Sequence, residues 1–262
     1  MELFWLSILQ GITEFIPVSS SAHAFIFAKF FHFQPMTRAM EVSLNTITLS
    51  VIVLYFRKDM WEMIRATFLV LKGRMTEPFH RGMKICVATI PVVIAGYFMH
   101  EYFDHYVQMA TLIGIMSIVF GTLLMVVDRF CTANRKFRQI SYWHAFVMGC
   151  FQMLALVPGV SRSGSTLIGA RLLGYARRDA AHFSFLMAIP VGVGAFVLTA
   201  KDLIFFKCSE GPMAFVMLML LLTFSIGYAT LTFFMKWLAH QPLFIWALYR
   251  IIFGLFVLYY FY

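Results

Sequence analysis

The sequence predicts an all-α, polytopic membrane protein with six transmembrane helices and two re-entrant helical hairpins in an inverted-topology repeat. Three observations carry that prediction. Of the 262 residues, 61% are hydrophobic and only 13% charged, about half the charged share of soluble domains. A chain of this length cannot hide so much apolar surface in one water-soluble core, and a lipid solvent removes the difficulty. Pro212 to Met235 contains no Asp, Glu, Lys, Arg or His, enough for the roughly 20 residues that a bilayer core requires. Lastly, two apolar stretches are each cut in half by a polar break.

In chain order, residues 3–33 form the first re-entrant segment. Leu3 to Ile16 is apolar but short for a crossing, Pro17-Val18-Ser19-Ser20-Ser21 interrupts it, and the apolar run resumes from Ala22 to Phe33. Spans follow at 40–56, 84–102 and 109–128. The second re-entrant segment, 143–173, repeats the design around Pro158-Gly159-Val160-Ser161-Arg162-Ser163-Gly164, and spans follow at 182–201, 212–235 and 243–262. Irregular backbone at membrane depth survives only where protein or water satisfies it, so both breaks are expected to line a cavity. The chain is a single membrane domain, 1–262, with repeats 1–128 and 143–262. Gln10 and Ser19 each lie 142 places before Gln152 and Ser161, and such repeats bring broken helices together near the midplane.

The net charge of +9 does not indicate a nucleic-acid partner, because the basic residues sit in short loops between apolar runs. The 57–84 connection carries seven Lys or Arg, and 129–142 adds Arg129, Arg135, Lys136 and Arg138 with no acid. Both are expected in the cytoplasm, and Glu101 to Asp104, which is acidic, outside. The hairpins then enter from opposite faces. No basic segment or A-x-A site marks Leu3 onward as a signal peptide. Cys86, Cys131, Cys150 and Cys208 have no metal-ligand spacing.

The chemistry concentrates at the breaks. Gln10 and Glu14 are i and i+4, on one side of the entering helix. Ser19, Ser20 and Ser21 open the returning helix, whose N-terminus attracts anions, and His23 can share the face of Ser20. A serine cap and a stray histidine would be the plainer reading, but a carboxylate at membrane depth is expensive without a role. In the second break Gly159 and Gly164 let backbone approach a ligand. Ser161, Ser163 and Ser165 offer hydroxyls, and Arg162 a planar fork for phosphate oxygens. Glu41 and Asn45 share a face at the start of a span, and Arg250, beside Tyr249, lies inside the last apolar run in need of a partner.

These residues resemble the undecaprenyl-diphosphate phosphatases of bacteria, the integral membrane enzymes tied to bacitracin resistance. The likeness runs through Gln10 to His23, Gly149 to Gly164 with its P-G-x-S-R-S-G signature, Phe183-Ser184-Phe185-Leu186 leading to Pro190, and Tyr249-Arg250. It implies hydrolysis of undecaprenyl diphosphate to the monophosphate carrier and inorganic phosphate. The setting implied is the outer side of the cytoplasmic (inner) membrane, with a site facing the periplasm or exterior. A homodimer and a divalent cation, Mg²⁺ or Ca²⁺, are implied too. Glu14, Ser20, His23 and Arg162 match the family's catalytic residues. Many members have a second glutamate where this chain has Gln10, so Glu14 must supply the carboxylate alone.

Arg162 and the helix start at Ser19–Ser21 are expected to hold the diphosphate, with Gln10, Gly159, Ser161, Ser163 and Gly164 around it. Ser20 would attack the terminal phosphorus and His23 take its proton, with Glu14 orienting His23 or binding the metal. The reversed assignment makes His23 the nucleophile. The rival from another class is a transporter or flippase for an anionic polyprenyl lipid, which would need the arginine and helix ends but no nucleophile.

Overall fold

The computed structural model describes residues 2–33, 38–99, 109–204 and 212–261, whose regular structure is helical apart from one isolated bridge between Arg135 and Tyr175. Helices α1 (Glu2–Thr13) and α2 (Ser20–Phe30) form the first hairpin. With 12 and 11 residues they rise roughly 18 and 16 Å, about half a bilayer core each. The second hairpin is α7 (Tyr142–Leu154) and α8 (Arg162–Leu172), with a 3₁₀ turn at Phe137–Gln139 ahead of it. Between them come α3 (Arg38–Tyr55), α4 (Arg57–Val70), α5 (Glu77–Met99) and α6 (Ala110–Phe130). The chain continues through α9 (Arg177–Ile204), α10 (Met213–His240) and α11 (Phe244–Phe261).

Among the described residues five helices are long and apolar enough to cross a membrane, or six if the bent pair α3–α4 is one span. Their flanks carry large exposed apolar side chains, including Val197, Leu198 and Tyr259. Such continuous apolar exposure fits lipid rather than water. Pro91 and Pro190 sit inside α5 and α9, which spans tolerate where neighbouring helices satisfy the freed carbonyl.

Several sequence expectations are corrected. The 57–84 connection contains the helix α4, set at 77° to the end of α3, because the charged start Arg57-Lys58-Asp59 leaves the apolar run without breaking helical propensity. Asp59 then accepts from Arg81 at 2.7 Å and lies 3.1 Å from the His182 ring nitrogen. The spans expected at 84–102 and 182–201 begin earlier, at Glu77 and Arg177, since Arg81 and His182 are partnered within the added helix or at its junction with the expected span. The span expected at 212–235 runs on to His240, carrying Lys236 at its boundary. The acidic stretch Glu101 to Asp104, ahead of the 109–128 span, and the 205–211 segment with Cys208 lie outside the described residues.

Four contacts place the breaks. Helix α7 lies against α5 so closely that a Cβ on Gly149 would collide with the Ala88 backbone. Helix α1 lies against α10, where Thr223 donates to the Ser7 carbonyl at 3.2 Å. At the tip of α1, Phe15 is fully buried in the main core, 6.2 Å from the Phe185 ring. That anchor fixes the depth of its neighbour Glu14. Thr166 and Ser184 are hydrogen-bonded at 2.5 Å, which ties α8 to α9 beside the second break.

Candidate active site

Both breaks reverse direction through a serine in the left-handed region, Ser19 at φ 73° and Ser161 at φ 70°. Such backbone costs on the order of 1–3 kcal/mol and is found where the surroundings impose it, often at functional sites. The two turns meet: Ser163 donates to the Ile16 carbonyl at 3.2 Å, and Arg162 reaches across to Glu14. A cavity of about 410 Å³ opens beside this junction, lined by Glu14, Ser19, Ser20 and Ser21 from the first break and Ser161, Arg162 and Ser163 from the second. Helices α3 and α9 supply the opposite wall with Glu41, Asn45, Thr46, Thr48, Gly192 and Phe196.

Glu14 is the hub. One carboxylate oxygen accepts from Arg162 at 2.5 Å; the other accepts from the Ser20 hydroxyl at 2.6 Å and from the Gln10 amide at 3.0 Å. The same Gln10 nitrogen donates to the Asn45 oxygen at 2.9 Å. Charge-assisted bonds of this length are strong, and here they leave a partly exposed ion pair, Arg162 at 29% and Glu14 at 12%. An incoming phosphate can reach that arginine. The N-terminus of α2 has no side-chain cap, so its first N–H groups face the cavity without a protein acceptor from Ser19. By contrast Ser161 caps α8, accepting from the Gly164 N–H at 3.2 Å.

Not every expected residue reaches the cavity. The Ser20–His23 contact expected from their spacing is not formed. His23 faces α11 instead, 2.7 Å from the Ser19 carbonyl through Nδ1 and 2.7 Å from the Tyr249 hydroxyl through Nε2. A carbonyl only accepts, so Nδ1 carries the proton and Nε2 takes the tyrosine hydrogen. Phe253 stacks on the ring at 4.1 Å. Three residues apart on the returning helix, the two side chains diverge by roughly 60°, and packing against Tyr249 and Phe253 of α11 holds His23 on the protein-packed side. Gly159 and Gly164 are also off the cavity wall: a Cβ on the first would meet the Ile113 backbone at 2.7 Å and on the second Arg250 at 2.5 Å. Their small size serves packing at the turn. Gln10 lies one layer behind, holding Glu14.

Sequence reasoning missed Tyr249 as the partner of His23 and Asn45 as the partner of Gln10. The i, i+4 pairing of Glu41 with Asn45 was a usable signal for the second; nothing local pointed to the first.

Whether a divalent cation fits can be tested on the donors present. No group of three or more His, Cys, Asp or Glu that could hold a metal occurs among the described residues. The cavity does bring Glu14, Glu41 and serine hydroxyls to its lining, hard oxygen donors of the kind Mg²⁺ and Ca²⁺ take. One or two carboxylates with substrate phosphate oxygens is the usual way Mg²⁺ is held. Two carboxylates of this kind fit a cation whose remaining ligands come from a bound phosphate group. The family described as "Bacitracin resistance protein BacA" matches residues 3–256.

Proposed function

This chain belongs to the bacitracin-resistance BacA family and is an undecaprenyl-diphosphate phosphatase, and we propose that it works through a phosphorylated Ser20. The reaction hydrolyses undecaprenyl diphosphate to undecaprenyl phosphate and inorganic phosphate, which supplies carrier lipid for cell-wall synthesis and underlies bacitracin resistance.

One observation carries the mechanism: the Ser20 hydroxyl donates to Glu14 at 2.6 Å while Arg162 holds the other oxygen of the same carboxylate. The terminal phosphate enters the cavity and draws Arg162 onto its oxygens. Ser20 Oγ attacks the terminal phosphorus and its proton passes to Glu14. The bond from phosphorus to the bridging oxygen breaks, and Glu14 returns the proton to the departing monophosphate. Water then attacks the phosphoserine, giving a proton to Glu14, which delivers it to the Ser20 oxygen as inorganic phosphate leaves. The uncapped first turn of α2 and the hydroxyls of Ser19 and Ser21 stabilise the charge on the transferring group, the main task in phosphoryl transfer, while Ser161 and Ser163 hold the second turn in place. His23 supports the turn through Ser19 rather than acting as nucleophile, since both ring nitrogens are engaged and the ring is 6% exposed.

A divalent cation, held by Glu14 and Glu41 with the diphosphate, would add charge neutralisation. Glu41→Gln is then expected to raise the Mg²⁺ concentration required for half-maximal activity.

The site is read as opening to the outer side of the inner membrane, on the loop charges that put 57–84 and 129–142 inside. The inverted repeat is supported by the pattern of neighbours. Helices α1 and α10 pack together as α7 and α5 do, α3 and α10 as α9 and α5 do, while α3 meets α9 and α6 meets α11. Exchange of the two halves maps each pairing onto another or onto itself.

The experiment is a denaturing quench at neutral pH, which preserves phosphoserine and phosphohistidine alike, of purified protein during turnover of β-³²P-labelled undecaprenyl diphosphate, followed by peptide mapping. Label on Ser20, absent in Ser20→Ala, is the expected result. Label on His23 overturns the serine mechanism.

A further inference from the structure

Arg250 is fully buried in α11 at membrane depth and has no part in the scheme above. Its guanidinium donates from Nη1 to the Pro17 carbonyl at 3.2 Å, and from Nη2 to the Gly159 and Val160 carbonyls at 2.8 Å each. All three acceptors belong to the two polar breaks: one lies three residues before Ser20, the others three and two before Arg162. No carboxylate lies within ion-pair distance among the described residues, and Nε has no acceptor. A buried cation is costly in lipid and is retained where it does something.

The surroundings are cut to admit it. A Cβ on Gly164 would come within 2.5 Å of Arg250 Nη1, and one on Gly121 within 3.0 Å of Arg250 Cβ. The side chain passes between α6 and α8 through space that two absent methyl groups leave. The planar fork matters, because two nitrogens must point at carbonyls of two different hairpins, a geometry that a lysine ammonium cannot reproduce.

We propose that Arg250 is a positioning residue for the phosphatase reaction: by holding the carbonyls of both breaks on one guanidinium, it sets the distance between Ser20 and Arg162. This rests on the reading of Ser20 as nucleophile and Arg162 as phosphate clamp, yet its test does not require the phosphoserine. Displacement of reacting groups by about 1 Å costs on the order of 10²-fold in rate. A misaligned site should therefore lose kcat while the lipid still binds.

The test compares wild type with Arg250→Lys in detergent, measuring kcat per folded enzyme, KM for undecaprenyl diphosphate and thermal midpoint. A kcat lower by about 10²-fold with KM within about threefold supports the proposal. A purely structural role predicts the opposite split: a lower midpoint and less folded protein, with unchanged kcat per folded molecule, and that result overturns it. Should Arg250→Lys fail to fold, Gly164→Ala replaces it, since the added methyl displaces Nη1 without removing the charge. Wild-type kcat in a folded Gly164→Ala enzyme also overturns the proposal. If phosphoserine trapping failed while Arg250→Lys still lost kcat alone, the nucleophile assignment would fall and the positioning role would stand.

Discussion

The first and second breaks share a left-handed serine, a following hydroxyl pair and a helix that starts at the cavity, yet their side chains are put to different use. Ser161 spends its hydroxyl capping α8, whereas Ser19 makes no cap and leaves the first turn of α2 open to an anion. The first break holds the carboxylate and the hydroxyl proposed as nucleophile; the second holds the guanidinium and Gly164, the glycine that leaves room for Arg250. The glutamines differ in the same way. Gln10 bridges Glu14 and Asn45, while Gln152 is buried with neither end of its amide paired to a protein group among the described residues. Two turns of like backbone thus engage their side chains differently.

That division can be broken by substitution, and the largest effects belong to the first break. Ser20→Ala is expected to lower kcat by about 10⁴-fold or more, as loss of a covalent nucleophile does. Glu14→Gln, which keeps the shape but removes the base, should cost about 10²- to 10⁴-fold. Phosphate release measured beside substrate binding checks both. Equal turnover in Ser20→Ala would move the chemistry elsewhere in the cavity.

Arg162→Ala is expected to lower kcat by about 10³-fold. Arg162→Lys should recover only part of that loss, because an ammonium lacks the fork. A full recovery would show that charge alone matters at the second break.

The serines sharpen the comparison. Ser161→Ala removes a helix cap and should cost about 1 kcal/mol of stability, read as a lower midpoint. Ser19→Ala removes no cap, so its stability should stay within about 0.5 kcal/mol, with its effect appearing in KM. Matching stability losses would mean that the two turns are used alike after all.

The smallest effect lies away from both breaks. Burial opposes ionisation of Asp59, but His182 and Arg81 outweigh it and hold the carboxyl below its ordinary value. A carboxyl held low contributes stability that is complete above the ordinary carboxylate range and is lost as pH falls through its own lowered value. Asp59→Asn is thus expected to be slightly less stable than wild type at pH 7, the gap closing in acid, with kcat unchanged across that range.

Much of the site was legible from spacing alone. Gln10 and Glu14 four apart on one helix, and serines at the start of another, are local facts that survive any packing. The place of His23 was not legible, because its face depends on where α11 lies, and Tyr249 and Phe253 are more than two hundred residues away in the chain. Gly159 and Gly164 read locally as room for a ligand, but the room is filled by Ile113 and Arg250. The helix at 57–70 was hidden by its charges, which mark a loop in a membrane sequence and suit an amphipathic helix equally well.

By itself the sequence determined the solvent, the two interrupted hairpins and the anionic character of whatever binds there, since composition, run length and residue type are independent of tertiary contacts. Tertiary structure alone decided which polar groups meet: Glu14 with Arg162 across 148 residues, and Arg250 with carbonyls of both breaks. The physical reason is that a polar group at membrane depth must find a partner, and which partner comes within reach is settled by how helices remote in the chain pack.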